Sequence, residues 1–131
     1  GIQSPEQLQL HPLKGAIFET WVVSEIWKTQ IHQNLLPYNK LAYYRENRGI
    51  EIDLLWEYNN NLAAVEIKSS STINSAFFQN LRLFEERVKS EGKRRLVKSF
   101  LIYSGDSAKD WSGVSILPWF QAANICSENA N

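Results

Sequence analysis

Residues 49–56 are Gly-Ile-Glu-Ile-Asp-Leu-Leu-Trp, and residues 62–68 are Leu-Ala-Ala-Val-Glu-Ile-Lys. Both runs alternate between side chains of different polarity, which is typical of β-strands. They are joined by Glu57-Tyr58-Asn59-Asn60-Asn61, and an Asn-rich connection of this length is typical of a hairpin. The two runs therefore predict a pair of adjacent antiparallel strands.

Strand alternation predicts which side chains of this hairpin share a face. In the first strand we expect one face to carry the apolar side chains Ile50, Ile52, Leu54 and Trp56. Glu51 and Asp53 then point the other way, and in the second strand Glu66 and Lys68 oppose the apolar residues. If the hairpin closes, Asp53, Glu66 and Lys68 gather on one face. Two carboxylates with an ammonium at their edge predict a site for a hard cation.

The composition limits the class of protein. The chain has 131 residues and a formal net charge of zero. This size fits one domain with a core of its own, and the charge argues against a strongly basic nucleic-acid module. A single cysteine, Cys126, supports neither a disulfide framework nor a zinc site, which predicts a reducing, cytoplasmic setting. No apolar stretch approaches the roughly 20 residues that a membrane helix needs, so we expect no membrane span. The chain contains no Met and starts at Gly1, so we interpret it as part of a longer protein.

The predicted elements alternate between helix and strand. A linker over 1–13 precedes a domain over 14–120, and residues 121–131 are expected to form a frayed tail. The predicted helices are Lys14–Gln33 and Ala76–Ser90, and the predicted strands are Leu41–Glu46, Ile50–Tyr58, Leu62–Ser69, Leu96–Tyr103 and Gly113–Leu117. This order predicts an α/β fold with a mixed sheet and helices on both faces.

Each predicted helix has an apolar stripe at helical spacing. The first is expected to place Gly15, Glu19, Val22, Val23 and Ile26 on one face. The second is expected to bury Phe77, Leu81, Phe84 and Val88. Asn74 or Ser75 is a suitable N-cap for the second helix.

The predicted cation site has the chemistry of metal-dependent phosphodiester hydrolysis. Mg²⁺ takes oxygen ligands, usually one or two carboxylates together with water and substrate phosphate. Asp53 and Glu66 meet this need, and the backbone carbonyl of Ile67 adds a further ligand. Lys68 would orient the attacking water or stabilise charge that develops on the phosphate.

Glu19 is a fourth candidate, because a carboxylate on an otherwise apolar helix face needs a partner. The alternative for Glu19 is an ordinary position beside the buried stripe. For Asp53, Glu66 and Lys68 the alternative is the polar side of an amphipathic hairpin, with ion pairs of little energetic value.

The dense basic cluster of the chain consists of Lys89, Lys93, Arg94, Arg95 and Lys98. It is interpreted as a solvated helix end, with phosphate contact as the second reading.

In these residues the sequence resembles the PD-(D/E)XK nuclease superfamily. That superfamily has a restriction-endonuclease-like α-β-β-β-α-β core with an acid on the first helix, an Asp on the second strand and E-x-K on the third. Glu19, Asp53 and Glu66-Ile67-Lys68 match these positions, over roughly residues 14–118. The resemblance implies metal-site acids at Asp53, Glu66 and Glu19, and a catalytic lysine at Lys68.

The chain more narrowly resembles a C-terminal domain of uncharacterised function found in bacterial and archaeal AAA-type P-loop ATPases. The similar stretches are Gly15–Glu19, Tyr44–Asp53 and Val65–Lys68. Two features depart from the superfamily pattern: Ile52 precedes Asp53 where many members have Pro, and Leu83 follows Gln79 at a spacing where some have Tyr.

Two functions follow from the resemblance. The first is a Mg²⁺- or Mn²⁺-dependent nuclease-like domain that hydrolyses DNA, or with less support RNA, beside the ATPase domain of the same full-length chain. The second is a non-catalytic interaction or regulatory module of such an ATPase, built on an inherited nuclease fold.

Overall fold

The computed structural model describes Ser4 and residues 13–34, 41–47, 49–92 and 94–129. It is an α/β protein with a mixed six-stranded sheet. The helices are α1 (Lys14–His32), α2 (Gln79–Ser90) and α3 (Asn124–Asn129), and the strands are β1 (Ala42–Arg45), β2 (Glu51–Tyr58), β3 (Asn61–Lys68), β4 (Val97–Tyr103), β5 (Lys109–Trp111) and β6 (Val114–Pro118). Short 3-10 turns at Ser75–Phe78 and Trp119–Gln121 precede α2 and α3.

The sheet has the strand order β1-β2-β3-β4-β6-β5. β1, β2 and β3 form an antiparallel meander, whereas β3, β4 and β6 run parallel to one another. One face packs against α1 and α3, and the other packs against α2. The predicted α/β sandwich with helices on both faces is therefore confirmed. Because both faces are covered, the central strand β3 is buried almost along its whole length.

The predicted helices and strands are present, and two further elements were missed. β5 forms a hairpin with β6 through Ser112 and Gly113, whose φ angles are 51° and 82°. A tight turn with two positive φ angles matches the twist of a hairpin. The second missed element is α3, where a frayed tail was expected. That expectation is wrong for the described residues, because Ala122, Ile125 and Cys126 lie in the core against α1.

The stripe expected on α1 is right at Val22 and Ile26 only, because Glu19 and Val23 are partly buried, whereas the stripe expected on α2 differs at a single position. α1 buries Phe18, Val22, Ile26 and Gln30, and Gly15 is exposed. At the start of α2, Phe78 is buried and Phe77 only partly so, because a 3-10 turn changes the angular spacing there. The Asn74 side chain accepts a hydrogen bond from the backbone N–H of Ala76, which confirms the predicted cap.

β2 does not present all its even-numbered apolar residues to one face. Ile50 and Ile52 pack in the cluster under α2, whereas Leu54 and Trp56 pack in the cluster under α1. The register against β1 explains the change, because Ala42 pairs with Leu55 but Tyr44 pairs with Ile52. β2 thus has one extra residue in this interval, and such a bulge reverses the facing of a strand. The predicted single apolar face of β2 is wrong.

Candidate functional site

The bulge places Asp53 where β2 separates from β3. The backbone ladder between the two strands runs from the Tyr58–Asn61 pair to the Leu54–Val65 pair. One residue further, the Asp53 carboxylate takes the place of a backbone acceptor, and its Oδ2 accepts a hydrogen bond of 2.8 Å from the backbone N–H of Ile67. The Asp53 side chain therefore links β2 to β3 beyond the last residue pair of the ladder.

Glu66 is the buried acid of the site, with only 3 % of its side chain exposed. Its Oε1 has no hydrogen-bond partner among the described residues. Its Oε2 lies 3.8 Å from Nζ of Lys68, at the long end of an ion-pair contact. Burial, and then the nearby charge of Asp53, raise the pKa of Glu66 to about 8, and Lys68 offsets only part of that rise.

Lys68 lies at the mouth of the site. Its side chain is 37 % exposed, and Nζ is 5.5 Å from the centroid of the Phe77 ring. The lysine stem can therefore rest against the start of the α2 layer while the ammonium faces both Glu66 and solvent. This position suits a group that meets an anionic ligand entering from outside.

Glu19 approaches the same place from α1. Burial and then the charge of Asp53 raise the pKa of Glu19, and the ammonium of Lys68 lowers it in part. Burial likewise raises the pKa of Asp53, against the lowering influence of the Ile67 N–H and of Lys68. The fold thus brings Asp53, Glu66 and Lys68 together at the end of the hairpin and places Glu19 within electrostatic reach of them.

The donor set fits a divalent cation with few protein ligands. Among the described residues, no group of three or more His, Cys, Asp and Glu side chains is arranged to hold a metal ion. Mg²⁺, however, usually takes one or two carboxylates and keeps several waters. The charge of Asp53 raises the cost of ionising Glu66, and Oε1 of Glu66 has no hydrogen-bond partner among the described residues. A cation between the two carboxylates would relieve both costs.

Ile67 can contribute its backbone carbonyl to the same position. The N–H and C=O of one strand residue point toward the same side of the strand. Because the Ile67 N–H is directed to Asp53, its carbonyl faces the gap between β2 and β3 as well. The three predicted ligands, Asp53, Glu66 and Ile67, therefore border one gap.

The loop after Lys68 is fastened by residues that the sequence interpretation did not assign. Oγ of Ser104 donates to the carbonyl of Ser69, and the backbone N–H of Ser104 donates to the carbonyl of Ser70. Polar residues that follow two adjacent parallel strands meet at one sheet edge, which was the available signal. These bonds fix the position at which the chain leaves Lys68.

The dense basic cluster is remote from the site. Arg95 pairs with Glu57 and donates to the carbonyl of Asn60, at the turn that forms the opposite end of the β2–β3 hairpin. Lys89 pairs with Glu85 on α2. Lys93 lies outside the described residues. The geometry therefore gives no basic path from this cluster to Asp53 among the residues described.

Glu51 is the remaining acid near the site. Its Oε1 lies 3.1 Å from Nε of Arg45, and both side chains are largely exposed. Exposed ion pairs of this kind contribute little to stability. Glu51 therefore pairs with Arg45 at the sheet edge, and its charge also helps to raise the pKa of Asp53 and of Glu19.

A family model described as a domain of unknown function, DUF4143, matches residues 14–121. The chain belongs to the DUF4143 family. The match spans α1 to the turn after β6 and so includes every residue of the candidate site in this DUF4143 domain. No curated protein matches the chain. Within the described residues, no helix is long and apolar enough to cross a membrane.

The bond between Asp53 and Ile67 predicts different results for two substitutions of Asp53. Asn keeps a side-chain oxygen for the Ile67 N–H, whereas Ala leaves that buried donor without its partner. In metal-free buffer we expect Asp53→Ala to be less stable than Asp53→Asn by about 1–2 kcal/mol. Urea unfolding of the two variants measures the difference. Equal stabilities would show that the bond does not hold the strands.

Proposed function

We propose that this DUF4143 domain is a divalent-cation-dependent phosphodiesterase of the PD-(D/E)XK type. The observation that carries the proposal is buried Glu66, with an unpaired carboxylate oxygen beside Asp53 and Lys68. The element order α1-β1-β2-β3-α2-β4 supports it, because it follows the core order of that superfamily. Two acids on adjacent strands and a lysine two residues after the second acid occupy the corresponding positions.

Each residue of the site has a distinct role in this proposal. Asp53, Glu66 and the Ile67 carbonyl would hold Mg²⁺ or Mn²⁺. Such a cation supplies polarisation of the scissile phosphate and activation of water. Lys68 donates hydrogen bonds to the phosphate and to the attacking water, because its ammonium lies at the open side of Glu66. Glu19 orients the site from α1 through its interaction with Asp53 and Lys68.

The proposed substrate is DNA, with RNA as the weaker choice on the basis of the resemblance. Hydrolysis adds water across one phosphorus–oxygen bond of the backbone and leaves one phosphomonoester end and one hydroxyl end. The site offers a single lysine at its mouth and the described basic cluster lies at the far end of the hairpin. Substrate affinity of this domain alone should therefore be weak, and further contacts would come from the ATPase domain proposed for the same full-length chain.

The direct test is a cleavage assay of the wild type on single-stranded, duplex and branched DNA, and on RNA. We expect cleavage with Mg²⁺ or Mn²⁺ and none after addition of EDTA. Asp53→Asn should be inactive and should remain folded, since it keeps the acceptor for Ile67. Cleavage that persists in EDTA or in Asp53→Asn would contradict the proposal.

A second candidate function is a non-catalytic interaction module of an AAA-type ATPase. The specific observation in its favour is the set of large apolar side chains exposed around α1, namely Leu13, Trp21, Trp27, Ile31 and Phe120. Exposed apolar surface of this kind marks interaction sites. A wild type that binds Mn²⁺ but cleaves none of the four substrates would favour this second function over the first.

A further inference from the structure

A tryptophan and an arginine lie against each other at one edge of the sheet. Trp111 belongs to the edge strand β5 and is 44 % exposed. Its ring packs on the buried ring of Phe78, with 4.5 Å between the centroids. The guanidinium of Arg82, on α2, lies 5.5 Å from the centroid of the Trp111 ring, which is a cation–π distance. Trp111 and Arg82 are called here the tryptophan–arginine pair.

The charge of Arg82 is not neutralised by an ion pair within the described part of the chain. Glu86 follows one turn later on α2 but does not come within ion-pair distance of Arg82. Asp110, the acid next to Trp111, accepts a hydrogen bond of 3.2 Å from Oγ of Ser115. An exposed guanidinium in this state can bind a phosphate without first breaking an ion pair.

The ring of Trp111 lies on the face of the sheet that carries Glu66. Trp111 pairs with Val114 of β6, and across β4 Val114 is level with Ala64 of β3. Val114 and Ala64 both pack in the cluster under α2. Glu66 follows Ala64 by two residues, so it faces the same way. Three strand spacings and two residues along β3 place the Cα atoms of Trp111 and Glu66 roughly 16 Å apart.

The 3-10 turn at Ser75–Phe78 connects the site to the pair. Nζ of Lys68 lies 5.5 Å from the centroid of Phe77, and the next residue, Phe78, packs on Trp111. Lys68 and the tryptophan–arginine pair therefore lie on the two sides of this turn, and both are accessible from solvent. A strand whose phosphate meets Lys68 can continue across the turn to the pair.

We propose that the tryptophan–arginine pair binds a single-stranded segment of the DNA substrate, with a base stacked on Trp111 and a phosphate bound by Arg82. The inference rests on the proposed phosphodiesterase function and adds the form of its substrate. Bases in a duplex are stacked on their neighbours, so only an unpaired base offers its face to an indole without a cost of unstacking. The substrate is then a DNA with unpaired bases beside the bond that is cleaved.

A nucleotide is complementary to both members of the pair. Its base has an aromatic face and its phosphate has a negative charge, and proteins that bind single strands combine aromatic rings with basic groups in this way. Stacking on an aromatic ring tolerates any base, so we expect little dependence on sequence. One stacked base and one phosphate contact give a modest affinity, in agreement with the single lysine at the mouth of the site.

Fluorescence anisotropy with a labelled thymidine oligonucleotide tests the role of Trp111. All proteins carry Glu66→Gln, so that binding is measured without cleavage and without a buried charge that opposes the phosphate. We expect Trp111→Leu to raise the dissociation constant for the single strand about tenfold, because Leu still packs on Phe78 but cannot stack on a base. Trp111→Phe keeps an aromatic face and should retain most of the affinity. Trp27→Leu, the same change at an exposed position on α1, should bind as the background protein does.

The salt dependence of the same binding tests the role of Arg82. Arg82→Gln should lower the slope of log affinity against log salt concentration by about 0.7, the value for one phosphate contact on a single strand. Arg94→Gln removes an exposed arginine beside Arg95, at the far end of the β2–β3 hairpin, and should leave the slope unchanged.

A duplex of the same length distinguishes this inference from the proposed function. We expect the duplex to bind more weakly than the single strand. Equal binding of duplex and single strand, unchanged binding by Trp111→Leu, or no binding of the single strand would overturn the inference, even if the wild type cleaves DNA. Single-strand binding that depends on Trp111, in a domain whose wild type cleaves no DNA, would support the pair and contradict only the proposed function.

Discussion

Replacing Lys68 with Met should lower the rate of metal-dependent DNA cleavage at least about 100-fold. Met keeps the length of the side chain and its contact with the Phe77 ring but removes the ammonium that faces Glu66. The Lys68 side chain is 37 % exposed, so the substitution should leave the fold intact. Single-turnover cleavage at saturating Mn²⁺ measures the effect.

The assay of Lys68→Met needs a pH at which Glu66 is ionised. Lys68 lowers the pKa of Glu66, which lies at about 8, so its removal favours the protonated acid. At a pH above the pKa of Glu66 in the variant, this acid stays ionised. A lower cleavage rate then reports the loss of the ammonium and not a loss of bound metal. Lys109→Met, the same change at an exposed position on β5, should cleave at the wild-type rate. Wild-type cleavage by Lys68→Met would remove the lysine from the mechanism.

Replacing Glu66 with Gln should abolish Mn²⁺ binding and at the same time stabilise the metal-free protein. At pH 8.5 we expect a gain of about 2 kcal/mol in the free energy of unfolding, allowing for relaxation of the site around the charge. The physical reason is the cost of an ionised carboxylate that is 3 % exposed and has one oxygen without a hydrogen-bond partner. A functional charge held at such a cost is typical of a binding site.

The pH dependence of stability follows from the direction of the same shift. The pKa of Glu66 rises from its ordinary value of 4.5 to about 8 on folding, so the unfolded chain loses this proton first. The favourable contribution of the neutral acid is complete below pH 4.5, declines as the pH rises toward 8, and is absent above it. Metal-free wild type should therefore lose stability from pH 5 to pH 8.

Urea unfolding in EDTA at several pH values measures the slope of the free energy of unfolding against pH. The difference in slope between wild type and Glu66→Gln isolates the part due to Glu66. Asp53 and Glu19 also have raised pKa values and contribute slopes of the same sign in both proteins. Glu85→Gln is the control, since Glu85 pairs with Lys89 on the exposed side of α2. Equal slopes in wild type and Glu66→Gln would show that folding does not disfavour the ionised form of Glu66.

The layers of the fold could be predicted from the sequence because long stretches with apolar periodicity bury the same side chains once the helices and the sheet pack together. The stripe with Leu81, Phe84 and Val88 in α2 and the apolar run of β4 are examples. The tail helix α3 was missed because its sequence, with several polar residues, contains only a few apolar groups. Ile125 and Cys126 become buried through contact with α1, which local sequence does not reveal.

The bulge at Asp53 shows what periodicity cannot resolve. Apolar residues at 50, 52, 54 and 56 satisfy a strand with one apolar face. They equally satisfy a strand that reverses its facing, because both faces of this sheet are covered by helices. The identity of the candidate acids was available from sequence, but the role of Asp53 as acceptor for the Ile67 N–H required the register.

The proposed function requires Asp53 and Glu66 to converge on one divalent cation. Calorimetric titration with Mn²⁺ above pH 8, where Glu66 is ionised, measures this convergence. We expect wild type and Glu85→Gln to bind one Mn²⁺, and folded Asp53→Asn and Glu66→Gln to bind none. Binding to Asp53→Asn and Glu66→Gln with wild-type affinity, or no binding to the wild type, would contradict the proposed function.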